Sequence, residues 1–198
     1  MEAIETKTIG KYKIEIIPDS DPLDPRADDN LGTMVCFHRN YNLGDKHEYR
    51  HQDYSGWEEM KKAIIRNENA GVILPLYLYD HSGITMNTTG FHCPWDSGQV
   101  GFIFISKEKM RYEYSYKRVS KKLIKRVREY LILEVATYDQ YLTGDVYGYR
   151  ITNPETDEEI DSCWNFFGSD YCMKEAESIV AYILAKVDYG ETLEKLVG

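Results

Sequence analysis

Two apolar runs, GVILPLYLYD (71–80) and QVGFIFIS (99–106), constrain this chain more than any other feature. A continuous apolar run of that length bounded by turn residues reads as a buried strand. TMVCFH (33–38) is a third, shorter run of the same kind. Pro75 interrupts the first run and cannot donate to a ladder, so that strand is expected at a sheet edge or at a bulge. KYKIEIIP (11–18) alternates and is closed by Pro18. DVYGYRIT (145–152), NPETDEE (153–159) and IDSCWNFFG (160–168) read as strand, turn and strand of a hairpin.

Three segments carry a helical period. Trp57, Met60, Ile64 and Ile65 predict an amphipathic helix over 55–68 with Ser55 near its N-cap. Val119, Leu123, Val127, Leu131 and Val135 recur every four positions and predict a helix over 118–138, opened by Ser120 or Ser115 and ended by Gly144. From Ser169 or Asp170 onward, Cys172, Ala176, Ile179, Val180, Ile183, Leu184 and Val187 form a buried stripe, and GETLEKLVG adds a short closing helix. The order suits one α+β domain over 1–198, with a mixed or mainly antiparallel sheet and three main helices packed on one face of it. A chain of 198 residues is long enough to bury one substantial core.

Charge is distributed unevenly. The net charge is −9, yet residues 107–130 hold ten Lys or Arg against three Glu, leaving about −16 on the rest. Lys121, Lys122, Lys125, Arg126 and Arg128 fall mostly off the apolar stripe and face outward, with Tyr112, Tyr114 and Tyr116 interleaved just upstream. Cations and aromatics in that mixture suit a phosphate backbone with bases stacked beside it, or an acidic partner. Asp19, Asp21, Asp24, Asp28 and Asp29 crowd a loop over 19–32 that also holds two prolines. With Glu155, Asp157, Glu158, Glu159 and Asp161, these carboxylates could stand where a nuclease expects phosphates. Tyrosine is abundant, 17 residues against 6 Phe and 3 Trp, which suits an interaction surface.

FHCPWDSGQVGF (91–102) concentrates reactive side chains and admits three readings. A thiol enzyme would use Cys93 as nucleophile with His81 and Asp96, but Pro94 follows the cysteine and removes the helix N-terminus that activates such thiols. A metal site would draw on Asp80, His81, His92 and Cys93, with His38 nearby, at a spacing that matches no recurrent ligand pattern. The third reading is a structural corner: Pro94 stiffens it, Asp96 and Ser97 bond the backbone, and Trp95 seals it against the core. The corner is adopted here, with convergence of Asp80-His81 and His92-Cys93 as the feature that would reopen the question. No phosphate-cradling glycine motif appears, and no cofactor is expected. Cys36, Cys93, Cys163 and Cys172 match no redox or zinc spacing and are expected reduced. With neither an apolar span nor a leader-like N-terminus, a cytoplasmic location away from membranes is expected.

DNLGTMVCFHRNYNLGD (29–45), LPLYLYDHSGITM (74–86), CPWDSGQVGFIFISKEK (93–109) and EVATYDQYLTGDVYGY (134–149) resemble a mostly uncharacterised family of phage and mobile-element proteins of Gram-positive bacteria. The resemblance implies a mobile-element setting, in which small acidic proteins, anti-CRISPR inhibitors among them, switch off host nucleases. The expectation is a non-enzymatic counter-defence inhibitor of a host nuclease or its ribonucleoprotein complex, Cas9-type or restriction-type, with RNA contact through the basic helix. The alternative is a metal- or thiol-dependent hydrolase centred on residues 80–96.

Overall fold

The computed structural model describes residues 2–27 and 29–197, with side chains of the last helix as far as Lys186. The fold is α+β, as expected, with eight antiparallel strands and four α-helices, rather than three main helices, among the described residues. It divides into two compact units, residues 1–23 with 144–198, and residues 24–143.

In the first unit a four-stranded sheet runs in the order β1 (Glu5–Ile9), β2 (Tyr12–Pro18), β7 (Val146–Asn153), β8 (Glu158–Phe167). The expected 145–168 hairpin is the β7–β8 pair. The edge strand β1, ETKTI, was missed because it is exposed apart from Ile9 and lacks an apolar alternation. α4 (Ser169–Val197) packs Cys172, Met173, Ala176 and Val180 against Ile14, Ile16, Tyr149 and Ile151. It is one continuous helix, not a long helix followed by a separate GETLEKLVG helix. Val187, assigned to its stripe above, lies outside the described side chains.

The second unit holds a sheet in the order β3 (Thr33–Cys36), β6 (Ser97–Ser106), β4 (Ala70–Asp80), β5 (Ile84–Asn87). Helices on one face were expected, but this sheet is covered on both. α3 (Lys121–Thr143) lays Leu123, Val127, Leu131 and Val135 on one face with Leu74, Leu76 and Ile103. α1 (Trp57–Asn67) packs Met60 and Ile64 on the other with Val35, Phe102 and Phe104. That double cover explains why QVGFIFIS is apolar at consecutive positions, since both of its faces are buried. Each large side chain buried there, Phe102 for example, contributes roughly 1.5–3 kcal/mol.

Several boundaries moved for local reasons. α1 starts at Trp57 with Gly56 as its cap, because the Ser55 backbone and hydroxyl both donate to Glu59 Oε2 at 2.7 Å instead of capping the helix. α2 (Lys107–Glu113) was missed; Ser106 caps it by accepting from the Lys109 amide at 3.0 Å. Ser120 opens α3, its hydroxyl accepting from Leu123 N at 3.2 Å. β4 is flanked by β5 only from Tyr77 on, and a register shift falls at Leu76/Tyr77, so Pro75 occupies an edge position beside a bulge.

Gly101 is where β6 lies closest to β3: a Cβ there would run into the Val35 carbonyl, whereas one at Gly98 meets nothing within 4 Å. Gly101→Ala should therefore cost about 2–3 kcal/mol in urea unfolding, with Gly98→Ala within about 0.5 kcal/mol of the parent. Equal effects would remove the close approach as the reason for glycine at 101.

Candidate functional site

α3 presents two faces of different chemistry. Its apolar stripe enters the sheet, which leaves Lys121, Lys122, Lys125, Arg126 and Arg128 exposed, as the helical period predicted. Lys125 lies 3.9 Å from Glu129, a surface pair of small energy. Upstream, Tyr112 is 82% exposed and Tyr116 53%. Tyr114 differs from them: it packs partly against the core, and Arg126 lies over its ring with the guanidinium carbon 5.1 Å from the centroid. Burial pushes the Tyr114 hydroxyl above its ordinary pKa. Ser115 turns the chain between α2 and α3 with a φ of 53°.

Beside this face lies a hollow of about 320 Å³, walled by Tyr114, Arg126 and Tyr130 on one side and by Asn30, Leu31 and Lys109 on the other. Its second wall belongs to the acidic loop. The Arg26 side chain, 3% exposed, donates Nε to Asp45 Oδ1 at 2.8 Å and Nη2 to Asp45 Oδ2 at 2.6 Å. Nη2 also reaches the Gly32 carbonyl at 2.7 Å, and Nη1 lies 3.8 Å from Glu134. Glu134 in turn accepts from the amides of Leu31 at 2.6 Å and Gly32 at 2.9 Å. Burial holds its carboxyl above the usual glutamate range, opposed by those two amides and by Arg26. One turn further along, the Tyr138 hydroxyl accepts from Gly44 N at 3.0 Å, and Asp139 accepts from Met86 N at 2.6 Å. Lys109 closes the wall from α2, its Nζ donating to the Asn30 carbonyl at 2.6 Å.

The carboxylates of the 19–32 segment are partly taken up by this architecture. Asp19 accepts from Asp21 N and Asn165 N, and Asp24 accepts from Arg26 N at 2.8 Å. Asp21 and Asp24 are exposed, and the Asp29 side chain is 97% exposed at 3.7 Å from Lys109. Asp28 lies outside the described residues. Of the carboxylates assigned to the hairpin, Asp161 and Glu159 lie in β8, where Asp161 accepts from the Tyr149 hydroxyl at 2.7 Å and Glu159 from Ser162 at 2.8 Å.

The 80–96 loops converge in part. Asp80 N donates to the Asp96 carbonyl at 2.8 Å, and the Ser97 hydroxyl donates to the Cys93 carbonyl. Ser97 thus bonds the backbone through its side chain as expected, whereas Asp96 does so through its main chain. His81 Nδ1 lies 3.4 Å from Asp96 Oδ2, and Cys93 Sγ lies 3.7 Å from the same oxygen. His38 Nε2 lies 3.9 Å from Asp80. His92 is exposed and stands apart from these contacts. The carboxylate sits between thiol and imidazole, whereas nucleophilic catalysis needs the imidazole against the thiol. Among the described residues no group of three or more His, Cys, Asp or Glu side chains is placed to hold a metal ion. Burial pushes the Cys36 and Cys172 thiols up to about 12.

One part of the corner expectation is wrong. Trp95 does not seal the loop; it is 91% exposed, and it lines an open groove of about 490 Å³ with Phe37, His38 and Arg39. Phe91 takes the packing role instead, its ring 5.7 Å from that of Tyr79. The residues missed from sequence, Arg26, Asn30, Lys109, Tyr130 and Glu134, had one faint signal: Glu134 and Tyr130 border the apolar stripe of α3.

Two outcomes test this geometry. Arg26→Met should lose about 3–5 kcal/mol near neutral pH, because two carboxylates then lose their cation. A carboxyl whose folded pKa is raised adds stability below its unfolded pKa and loses it as pH climbs through the folded value. Removing Arg26 raises Glu134 further, so urea unfolding should show the deficit largest near neutrality and smaller in acid; a pH-independent deficit contradicts the pairing. Trp95→Ala should leave the thermal midpoint unchanged, within about 0.5 kcal/mol, and a large drop would return the indole to the core. Comparison with family models, curated proteins and solved structures returns no match to this chain.

Proposed function

We propose that the chain is a non-enzymatic binding protein that inhibits a nucleic-acid-targeting nuclease complex, Cas9-type or restriction-type, in the cytoplasm of a bacterial host. The observation that carries this reading is the outward face of α2 and α3. Five cations there are exposed beside two exposed tyrosines, on a chain whose net charge is −9. A basic strip on an acidic body orients encounters: the strip faces phosphates or acidic surface while the body repels bulk nucleic acid. The resemblance to phage and mobile-element proteins supplies the counter-defence setting, and RNA in a ribonucleoprotein is the phosphate source that suits a chain repelled by free duplex DNA. Among the described residues, no helix is long and apolar enough to cross a membrane.

The hydrolase reading keeps one observation in its favour, the meeting of His81 and Cys93 at Asp96. A carboxylate in the middle position supports a hydrogen-bonded corner better than proton transfer between thiol and imidazole.

Purified protein added to Cas9-type and restriction-type nucleases should slow target cleavage and co-elute with one of them. Charge reversal at Lys121, Lys122 and Lys125 together should weaken that inhibition about tenfold or more, and added salt should do the same to the wild type. Cys93→Ala and His81→Ala should inhibit like the parent. If wild type neither co-elutes with nor protects against any nuclease of these classes, or if Cys93→Ala abolishes a measured turnover, the proposal is lost.

A further inference from the structure

We infer that the hollow between α2, α3 and the 29–31 segment is a binding site for one unstacked nucleotide; as a nucleic-acid subsite it rests on the proposed contact of the basic face with RNA. At about 320 Å³ it lies at the small end of ligand pockets, a size for one base rather than for a helix or peptide. Its chemistry is specific in kind. The Arg126 guanidinium lies over the Tyr114 ring, 5.1 Å from its centroid, and both border the hollow together with Tyr130. Bases that leave their own stack are received on aromatic rings and guanidinium planes, whatever their sequence.

The polar lining points to a nucleotide rather than to a bare anion. Arg126 and Lys109 are balanced by Asp29 and Glu113, so inorganic phosphate would meet as much repulsion as attraction. A base offers amino and imino donors to such carboxylates, while its phosphate stays outside. The outside is provided for: Lys122, Arg126 and Tyr130 are spaced four apart along α3 and share one face, so the row that enters the hollow as Tyr130 leaves it as Lys122. Lys122 is exposed, and the phosphate is assigned to it.

The site is held open before any ligand arrives. Lys109 fixes the Asn30 carbonyl at 2.6 Å, and Glu134 fixes the amides of Leu31 and Gly32 at 2.6 and 2.9 Å. A wall built this way loses little freedom on binding, which favours affinity. Tyr130 is 49% exposed and its truncation leaves the helix and this wall in place.

The test measures binding of a short labelled single-stranded RNA, with GMP as competitor, to wild type, Tyr130→Ala, Tyr130→Phe and Lys122→Gln, each checked for native circular dichroism. Tyr130→Ala should bind about tenfold more weakly at an unchanged salt slope, and Tyr130→Phe should bind like wild type. Lys122→Gln should weaken binding and lower the salt slope by about 1. Displacement of the strand by GMP identifies a free nucleotide as a sufficient ligand; a strand that GMP does not displace identifies a nucleotide within a chain, and either supports the site. Equal binding by Tyr130→Ala and wild type, or no binding of strand or GMP at all, overturns it. The two readings fail separately. A silent Tyr130→Ala with nuclease inhibition still lost on charge reversal removes the pocket alone, whereas a wild type that binds RNA through Tyr130 yet inhibits no nuclease removes the proposed function alone.

Discussion

A guanidinium with almost no access to solvent organises the second unit. Arg26 is bound by both oxygens of Asp45, by the Gly32 carbonyl and by the field of Glu134, and it draws the 24–32 segment down onto α3. Desolvating these three charges is costly. The cost is offset by the bonds that Nε and Nη2 make and by the Coulomb attraction of Glu134, which faces a buried Nη1 that has no hydrogen-bond partner among the described residues. Everything proposed for the 29–31 wall follows from that closure, since Leu31 and Gly32 are held by the same Glu134 that faces Arg26. A deficit of a few kcal/mol is a large share of a domain's net stability, so this cluster bears on folding as well as on shape.

α3 is the element through which the rest is arranged. Its stripe of Leu123, Val127, Leu131 and Val135 seats it on the sheet, and three polar residues at the stripe's margin then fasten separate segments. Glu134 takes the 31–32 amides, Tyr138 takes Gly44, and Asp139 takes the β5 backbone at Met86. The opposite side is thereby free to be basic. One helix thus carries packing, anchoring and charge on three adjoining strips, as its 3.6-residue period allows.

What could be read from sequence divides along physical lines. QVGFIFIS and the α3 stripe were legible because burial imposes a period or a run that local residues must satisfy. ETKTI and ITMN were not, because a short edge strand is selected by its neighbour's backbone rather than by its own side chains. The exposed cations were legible from the same helical period that buries Leu123. Arg26 was hidden among aspartates: its partners stand 19 and 108 positions away, and only the fold brings them within ion-pair distance, 2.6 and 3.8 Å. Trp95 shows the converse error, an aromatic assigned to the core by type although the loop that carries it is pinned by Asp96, Ser97 and Phe91 without it.

FHCPWDSGQVGF and the α2–α3 face are competing addresses for function, and they lie far enough apart in sequence to be distinguished by amide exchange. The decisive measurement is hydrogen–deuterium exchange of the chain alone and in complex with the nuclease assembly it is proposed to inhibit. The account predicts new protection across 107–130 and 29–31 with 80–96 unchanged. Protection confined to 80–96, with α2 and α3 exchanging as in the free chain, would contradict it.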